Sequence, residues 1–416
     1  MKKLCILFIL LCTLPSCAAA QWYLFPGNKK GAAQTTAGDT TRPSRPARPD
    51  SVPGRPVTDS AATAVDSLIP ASVPVWEAPY LQEVLPVVHV GLILPLQATG
   101  SASDTFLDFY SGALLALRQL GAGGQRIELQ VYDSADKRTS LAQAVTAGDD
   151  LTIGPVSFDD IGKSLPVLPP DKVLVSPLEP KAAPLAVTGP VVQSPSPWSA
   201  QLDELVRWIR EERLPSEEVF VVQDTAAAGR GEQSAYLLAR LQENGIRTRN
   251  VHAAGEIPFA RGRKVRVVVA SDRDSFFASA VRSLSIQGAL NDNVILYGTT
   301  RVRANGTGPT DLHNTNAHLV ASYFIDYESP DVRSFILAYR SLFQNEPGSF
   351  AFQGYDTMRY FVTMCMKYGR QWYKKLPEYS QKGLQADFRF TADHPRVNQA
   401  TRRILYNKDL TTTLAD

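Results

Sequence analysis

The segment Val87-Val88-His89-Val90-Gly91-Leu92-Ile93-Leu94-Pro95-Leu96 decides the fold class, because it is apolar at almost every position. A strand with one solvated face alternates apolar and polar residues, whereas a strand of a parallel sheet covered on both faces is apolar throughout. The period then changes, since Phe106, Phe109, Ala113 and Leu117 recur at helical spacing, and a glycine at position 121 ends the pattern. The segment therefore predicts a buried strand followed by an amphipathic helix.

The same alternation continues along the chain. Further strands are predicted at 127–132, 151–155, 172–176, 219–222, 265–270, 294–297 and 319–324. Between and after them, helical patterns begin near positions 141, 198, 235, 276, 332 and 350. Repeated strand–helix units build parallel sheets with right-handed crossovers. The sequence predicts the α/β class, with two lobes that are each a parallel sheet flanked by helices.

The N-terminal part of the chain has a different composition. Residues 1–20 combine Lys2 and Lys3 with an apolar run and a small-residue end at Ala18-Ala19-Ala20, which is typical of a signal peptide. Residues 21–86 are rich in Pro, Ser, Thr, Ala and Arg, which predicts a disordered linker. Lys and Arg total 43 against 41 Asp and Glu in the full chain, so no global charge attracts nucleic acid or an anionic membrane.

Two processing patterns overlap at the end of the signal. Cleavage after Ala20 releases a free protein, whereas Leu14-Pro15-Ser16-Cys17 resembles a lipobox, which would acylate Cys17 and tether the chain to a membrane. The other cysteines are Cys5, Cys12 and Cys365. Cys365 is therefore the one cysteine certain to remain after cleavage, which argues against an internal disulfide.

Several short segments together resemble the type I periplasmic solute-binding family, the class of branched-chain amino-acid receptors. The resemblance rests on the opening strand and loop, on Phe109 to Ala113, and on Ile153-Gly154-Pro155 in the first half. In the second half it rests on 221–231 and on the pair Phe335 to Tyr339 and Gly354-Tyr355-Asp356. It covers residues 87 to 410 and implies two lobes that close on a ligand in the cleft between them, with no chemistry performed on it.

The resemblance also implies which residues line the cleft. In the first lobe it places them after the strands, at Gln97, Thr99, Ser101, Ser157, Phe158, Ser176 and Glu179. Across the cleft it implies Asp224, Thr225, Thr299, Tyr323 and Asp356.

Three features depart from the family pattern. Glu179 stands where a small or hydroxyl residue is usual, Ala228 replaces an aromatic residue, and the loop at 157–160 lacks consecutive hydroxyl residues. A carboxylate at Glu179 would repel the carboxylate of an amino acid. These departures leave open a different ligand, or a cleft without a ligand on a protein that serves as a scaffold.

Other signatures of chemistry are absent or incomplete. Gly229-Arg230-Gly231-Glu232-Gln233-Ser234 lacks the last glycine of a dinucleotide fingerprint. The five histidines have no metal-ligand spacing, and no Gly-x-Ser-x-Gly, Walker or His-Glu-x-x-His motif occurs. We therefore expect no metal, no cofactor and no enzymatic activity.

The sequence predicts an exported two-lobed binding protein in the periplasm or cell envelope. We expect residues 87–416 to form the folded region, with one lobe over about 87–196 plus C-terminal crossings and the other over about 197–330. The expected partners are a small polar ligand and the permease of an ABC importer. The alternative is an envelope scaffold or regulator of cell-wall synthesis with a synthase as its partner. A membrane contact is expected only through the alternative lipid anchor at Cys17.

Overall fold

A computed structural model describes residues 84–97, 102–260, 262–291, 293–303 and 306–415. The predicted signal peptide, most of the predicted linker and the alternative anchor at Cys17 lie outside these residues. The folded part includes Leu85, which is buried in the core two residues before the expected start at Val87.

The first sheet has five parallel strands in the order β2-β1-β3-β4-β5. The decisive apolar segment is β1, an interior strand between β2 and β3, of which Leu92, Ile93 and Leu94 are completely buried. The strands are β1 (Val87–Leu94), β2 (Arg126–Asp133), β3 (Leu151–Ile153), β4 (Leu174–Ser176) and β5 (Val191–Gln193). The helices between them are α1 (Asp104–Ala122), α2 (Leu141–Thr146), α3 (Phe158–Ser164) and α4 (Ala183–Thr188).

The second sheet has seven strands in the order β12-β11-β10-β9-β8-β6-β7. Five of them are parallel: β6 (Val219–Gln223), β7 (Thr248–Val251), β8 (Val265–Ala270), β9 (Val294–Thr299) and β10 (His318–Ala321). The accompanying helices are α5 (Trp198–Glu212), α6 (Glu232–Glu243), α7 (Asp274–Leu290) and α8 (Pro309–Asn314). Two antiparallel strands from the end of the chain, β11 (Arg402–Tyr406) and β12 (Thr412–Ala415), extend the sheet beyond β10.

Two long helices near the end of the chain return to the first sheet. α9 (Pro330–Phe343) and α10 (Ser349–Tyr368) bury Phe335 and Phe352 in the same core as the residues of β1. Helix α10 lies so close to α1 that a Cβ atom at Gly112 would stand 1.9 Å from the Ala351 carbonyl oxygen. We call the first sheet with α1–α4, α9 and α10 the first lobe, and the second sheet with α5–α8 the second lobe.

The chain passes between the lobes three times. The crossings are residues 194–197 after β5, residues 322–329 after β10, and residues 398–401 before β11. They are tied together by hydrogen bonds, since Ser196 Oγ lies 2.7 Å from Ser322 Oγ, and the Asn398 side-chain amide donates to the Ser194 carbonyl at 2.8 Å.

Some local predictions need correction. The helical spacing of Ala235, Leu238 and Leu241 predicts that these residues face the sheet, but Ala235 is exposed and Leu238 is half-buried. The buried residues of α6 are Ser234, Leu237 and Leu241. The face that packs on the sheet is therefore rotated by about one position. β5, β7, β11 and β12 were not predicted from the sequence pattern.

Candidate functional site

The carboxyl ends of the strands in both sheets lie where the lobes are joined. One crossing leaves the carboxyl end of β5 and another leaves that of β10. Arg402, the first residue of β11, pairs with Ala321, the last residue of β10, so the third crossing arrives at the same edge. Ligands of open α/β sheets bind beyond this edge, where loops and helix N-termini present polar groups. We refer to these two edges as the carboxyl edges.

At the start of the first carboxyl edge the predicted residues are mostly exposed or already engaged. Gln97 is exposed in the turn after β1, and Thr99 and Ser101 lie outside the described residues. Ser157 caps α3, because its Oγ accepts the Asp160 N–H at 3.1 Å and lies 2.8 Å from Asp160 Oδ2. Phe158 follows as the first residue of α3 and is 40% exposed.

Ser176 at the end of β4 and Glu179 in the loop after it present polar atoms at the same edge. Ser176, the last residue of β4, is 1% exposed, and its Oγ has no hydrogen-bond partner among the described residues. Glu179 is half-buried, and its Oε1 accepts the Lys181 backbone N–H at 2.9 Å. A buried hydroxyl without a partner costs free energy unless water or a ligand satisfies it. This part of the edge is therefore suited to hold a polar molecule.

In the second lobe Asp224 is engaged by protein groups. Arg273 donates through Nε and Nη2 to both carboxylate oxygens at 2.7 Å, and Ser271 Oγ donates to Oδ2 at 2.7 Å. The Arg273 guanidinium lowers the pKa of Asp224 to about 2. A carboxylate held in this way has little capacity left for a ligand.

A neighbouring carboxylate at this edge is engaged as well. Asp272 accepts the N–H groups of Gln233 at 3.2 Å and Ser234 at 2.8 Å, so it caps α6, and it lies 3.9 Å from Arg301 Nη1.

Thr225 is exposed, and Thr299 is half-buried at the end of β9. Thr299 lines a cavity of about 30 Å³, and a second cavity of about 150 Å³ lies beside Asp224. Both cavities are lined by second-lobe residues alone.

Tyr323 lies on the second crossing, and Asp356 lies in α10. Tyr323 is half-buried and hydrogen-bonded to Gln353, and burial, with a smaller contribution from the charge of Glu179, raises its pKa to about 12. The second crossing and the loop after β4 are thus electrostatically coupled through Tyr323 and Glu179. Asp356 is buried in α10 and accepts the N–H groups of Leu384, Gln385 and Ala386 at 2.7 to 2.9 Å. Burial raises the pKa of Asp356 to about 6. Its carboxylate oxygens accept hydrogen bonds from the backbone of the loop at 384–386 and are therefore engaged within the protein.

Two further polar residues, Gln193 and Arg402, lie at or near this edge and were not among the predicted site residues. Gln193, the register partner of Ser176, is completely buried, and its Oε1 has no hydrogen-bond partner among the described residues. Arg402 donates to the carbonyls of Phe324, Leu384 and Gly383 and to Asp387. The sequence feature that could have indicated Gln193 is a glutamine at the end of a short apolar strand. No local feature indicates Arg402, because its hydrogen-bond partners lie in distant segments of the chain.

The described part of the chain contains no grouping of three or more His, Cys, Asp or Glu side chains suited to a metal ion. Within the same residues, no helix has both the length and the apolar character needed to cross a membrane.

Comparison with known proteins identifies the fold. A structure from Rhodospirillum rubrum, described as a candidate branched-chain amino acid ABC transporter, aligns over 79% of this chain and 100% of its own with a TM-score of 0.57 and 15% identity. An ABC transporter substrate-binding protein from Desulfitobacterium hafniense in complex with Leu aligns over the same shares, at 15% identity with a TM-score of 0.48. No curated protein sequence matches the chain.

The model of one protein family matches residues 87–371, which include the first lobe's sheet, all parallel strands of the second sheet, and both long C-terminal helices. This match covers more than half of the chain and agrees with the two parallel sheets joined at their carboxyl edges. The chain belongs to the periplasmic binding protein family.

Proposed function

We propose that the protein is an exported, non-enzymatic binding protein that closes its two lobes on a small polar ligand. The observation that carries this proposal is the buried Ser176 hydroxyl, which lacks a hydrogen-bond partner among the described residues at the edge where the lobes join. If position 176 had only a structural role, an apolar residue would be more favourable there, because an unsatisfied buried hydroxyl costs about 1–3 kcal/mol. A ligand that hydrogen-bonds to this group recovers that free energy.

The surrounding groups support the same function. Glu179 and Tyr323 interact electrostatically, although they lie on the first-lobe loop after β4 and on the second crossing. A ligand that contacts both would therefore bridge a lobe and a crossing, and closure of the lobes would remove water from it. Relatives described as amino acid ABC transporter proteins suggest delivery to the permease of an importer. The location we propose is the periplasm or cell envelope.

The test is a thermal-shift and calorimetric screen of the full chain against amino acids, peptides, sugars and cell-wall fragments. A specific ligand at a hundred times its dissociation constant should stabilise the folded state by about 2.7 kcal/mol. Ser176→Ala should weaken binding of that ligand without loss of stability, because the hydroxyl it removes has no protein partner. The absence of stabilisation by every compound would contradict the proposal.

Ser164→Ala is the matched control for this substitution. Ser164 is also completely buried, but its Oγ donates to the Asp160 carbonyl at 2.7 Å. We expect Ser164→Ala to lower the free energy of unfolding by about 1 kcal/mol and to leave ligand affinity unchanged. Equal losses of affinity in both variants would show that Ser176 acts through stability and not through contact with the ligand.

A scaffold of the cell envelope is the second candidate function. It is favoured by the second carboxyl edge, where Asp224 and Asp272 are both occupied by arginines or helix N–H groups. The predicted linker and the alternative anchor at Cys17 also suit a tethered scaffold. Crosslinking in cells separates the candidates, because recovery of a permease supports the receptor and recovery of a cell-wall synthase supports the scaffold.

A further inference from the structure

The free polar atoms at the first carboxyl edge are the amide oxygen of Gln193, which can only accept a hydrogen bond, and the hydroxyl of Ser176, which can accept and donate; they suggest the chemistry of the ligand. The Gln193 amide nitrogen donates to the Pro195 carbonyl at 2.7 Å. A carbonyl can only accept, so the amide nitrogen must face it and the oxygen Oε1 must be the atom without a partner. Ser176 stands opposite Gln193 in the neighbouring strand, so both side chains emerge on the same face of the sheet.

Glu179 adds a negative charge to this group of acceptors. It follows Ser176 by three positions and is half-buried, and it forms no ion pair with a Lys or Arg side chain within the described residues. In the part of the chain that the structure describes, its one hydrogen bond comes from the Lys181 backbone N–H. A partly buried carboxylate without a cationic partner is unfavourable, and a cation that binds there relieves this cost.

The buried guanidinium group of Arg402 does not neutralise this charge. The Arg402 guanidinium is committed to Asp387 at 2.6 Å and to three backbone carbonyls. Tyr323, the neighbour of Glu179, is a neutral phenol hydrogen-bonded to Gln353. The edge after β4 and β5 thus offers a carboxylate, an amide oxygen and a hydroxyl, and within the described residues no Lys or Arg side chain forms an ion pair with that carboxylate.

We propose, on the basis of the binding function above, that the ligand carries a protonated amine or a guanidinium group that binds at Glu179, with Gln193 Oε1 and Ser176 Oγ as further acceptors. An ammonium group donates three hydrogen bonds and a guanidinium group five, which matches an acceptor-rich site. An anionic ligand would meet the charge of Glu179 without a compensating cation. Glu179 is then the residue that determines specificity for the charge of the ligand.

The experiment compares four probes of similar length: putrescine, agmatine, 1,4-butanediol and succinate. Each is added to the full chain in a thermal-shift assay and by calorimetry, at low and moderate ionic strength. We expect putrescine or agmatine to raise the melting temperature and to bind at least tenfold more tightly than butanediol, and we expect no binding of succinate. Preferred binding of succinate or butanediol would overturn the inference while leaving the proposed binding function intact.

Variants of Glu179 test the assignment to this residue. Glu179→Gln should lower the affinity for the cationic probe at least tenfold, and Glu179→Asp should retain the preference for a cation over the neutral probe. Glu218→Gln is the matched control, because Glu218 is also half-buried but lies at the opposite end of the second sheet, just before β6. Unchanged binding of the cationic probe by Glu179→Gln would refute the assignment. Failure of every probe and of the wider screen would contradict the proposed function itself.

Discussion

At the residue scale, Asp224 shows how a charged side chain at the carboxyl edge contributes to stability. Its pKa is lowered from 3.8 to about 2, chiefly by Arg273. As the pH falls, the unfolded chain binds a proton at this group before the folded chain does, so the stabilisation is present above about pH 4 and is lost towards pH 2. The shift corresponds to about 2 kcal/mol.

We therefore expect Asp224→Asn to lower the free energy of unfolding by about 2 kcal/mol at pH 7 and by a smaller amount at pH 3. Chemical denaturation at both pH values measures the difference from the wild-type protein. Asp171→Asn is the control, because Asp171 is exposed in a loop and should change stability little at either pH. A loss that stays constant between pH 7 and pH 3 would argue against the ion pair as its cause.

The sequence indicated where the site residues lie, but not what they contact. Ser176 and Thr299 end buried apolar strands, so their place at the carboxyl edges follows from the strand pattern. The partner of Asp224, Arg273, comes 49 residues later. Such pairings depend on how loops from different strands meet, and no local pattern records them. The sequence therefore could not predict that the carboxylates of Asp224 and Asp356 are hydrogen-bonded to other protein groups. Nor could it predict that the Ser176 hydroxyl has no hydrogen-bond partner among the described residues.

At the scale of elements, apolar continuity predicted the buried strands and missed the peripheral ones. β8 is buried at all six positions and was predicted with its observed limits. β7, at the edge of the second sheet, has three exposed residues in Thr248-Arg249-Asn250, and it lacks an apolar pattern for that reason. β11 begins with two arginines whose charges are paired within the fold, which hid its alternation. Edge position and charge pairing are tertiary properties, so these strands gave little signal.

The contact between α1 and α10 gives a prediction for elements. A Cβ atom at Gly112 would lie 1.9 Å from the Ala351 carbonyl oxygen, and one at Gly354 would lie 2.0 Å from that of Phe109. Either substitution by alanine must push the helix backbones apart, at a cost of about 1–3 kcal/mol or more. We expect Gly112→Ala and Gly354→Ala to lower the free energy of unfolding accordingly, as measured by denaturant titration.

Gly121 provides the control on the same helix, because a Cβ atom there would have no neighbour within 4 Å. Gly121→Ala should leave stability unchanged or raise it by up to about 1 kcal/mol, since alanine has the higher helix propensity. If all three substitutions behaved alike, the effect would reflect helix propensity and not the close approach of the two helices.

At the scale of the whole molecule, buried polar groups tie the crossings to one another and to the loop at 383–387. Arg402 in the second lobe reaches the loop at 383–387 and the second crossing at Phe324. Asn398 joins that loop to the first crossing through Asp387 and Ser194. Hydrogen bonds of fixed geometry set one arrangement of the crossings more strictly than apolar contacts would. The position of the first carboxyl edge relative to Tyr323 therefore depends on this network.

Arg402→Met should show how much of the stability resides at the crossings. The substitution keeps an apolar side chain of similar length but leaves Asp387 and three carbonyl groups without their donor. Removing one partner of a buried ion pair costs about 3–5 kcal/mol, so the midpoint of denaturant unfolding should fall clearly. Arg247→Met, at an exposed position before β7, should stay within about 0.5 kcal/mol of wild type. Because both sheets keep their own cores, we also expect Arg402→Met to remain folded and to show a larger radius of gyration in small-angle scattering. If the variant instead kept both the stability and the radius of gyration of the wild-type protein, the crossings would be held without Arg402.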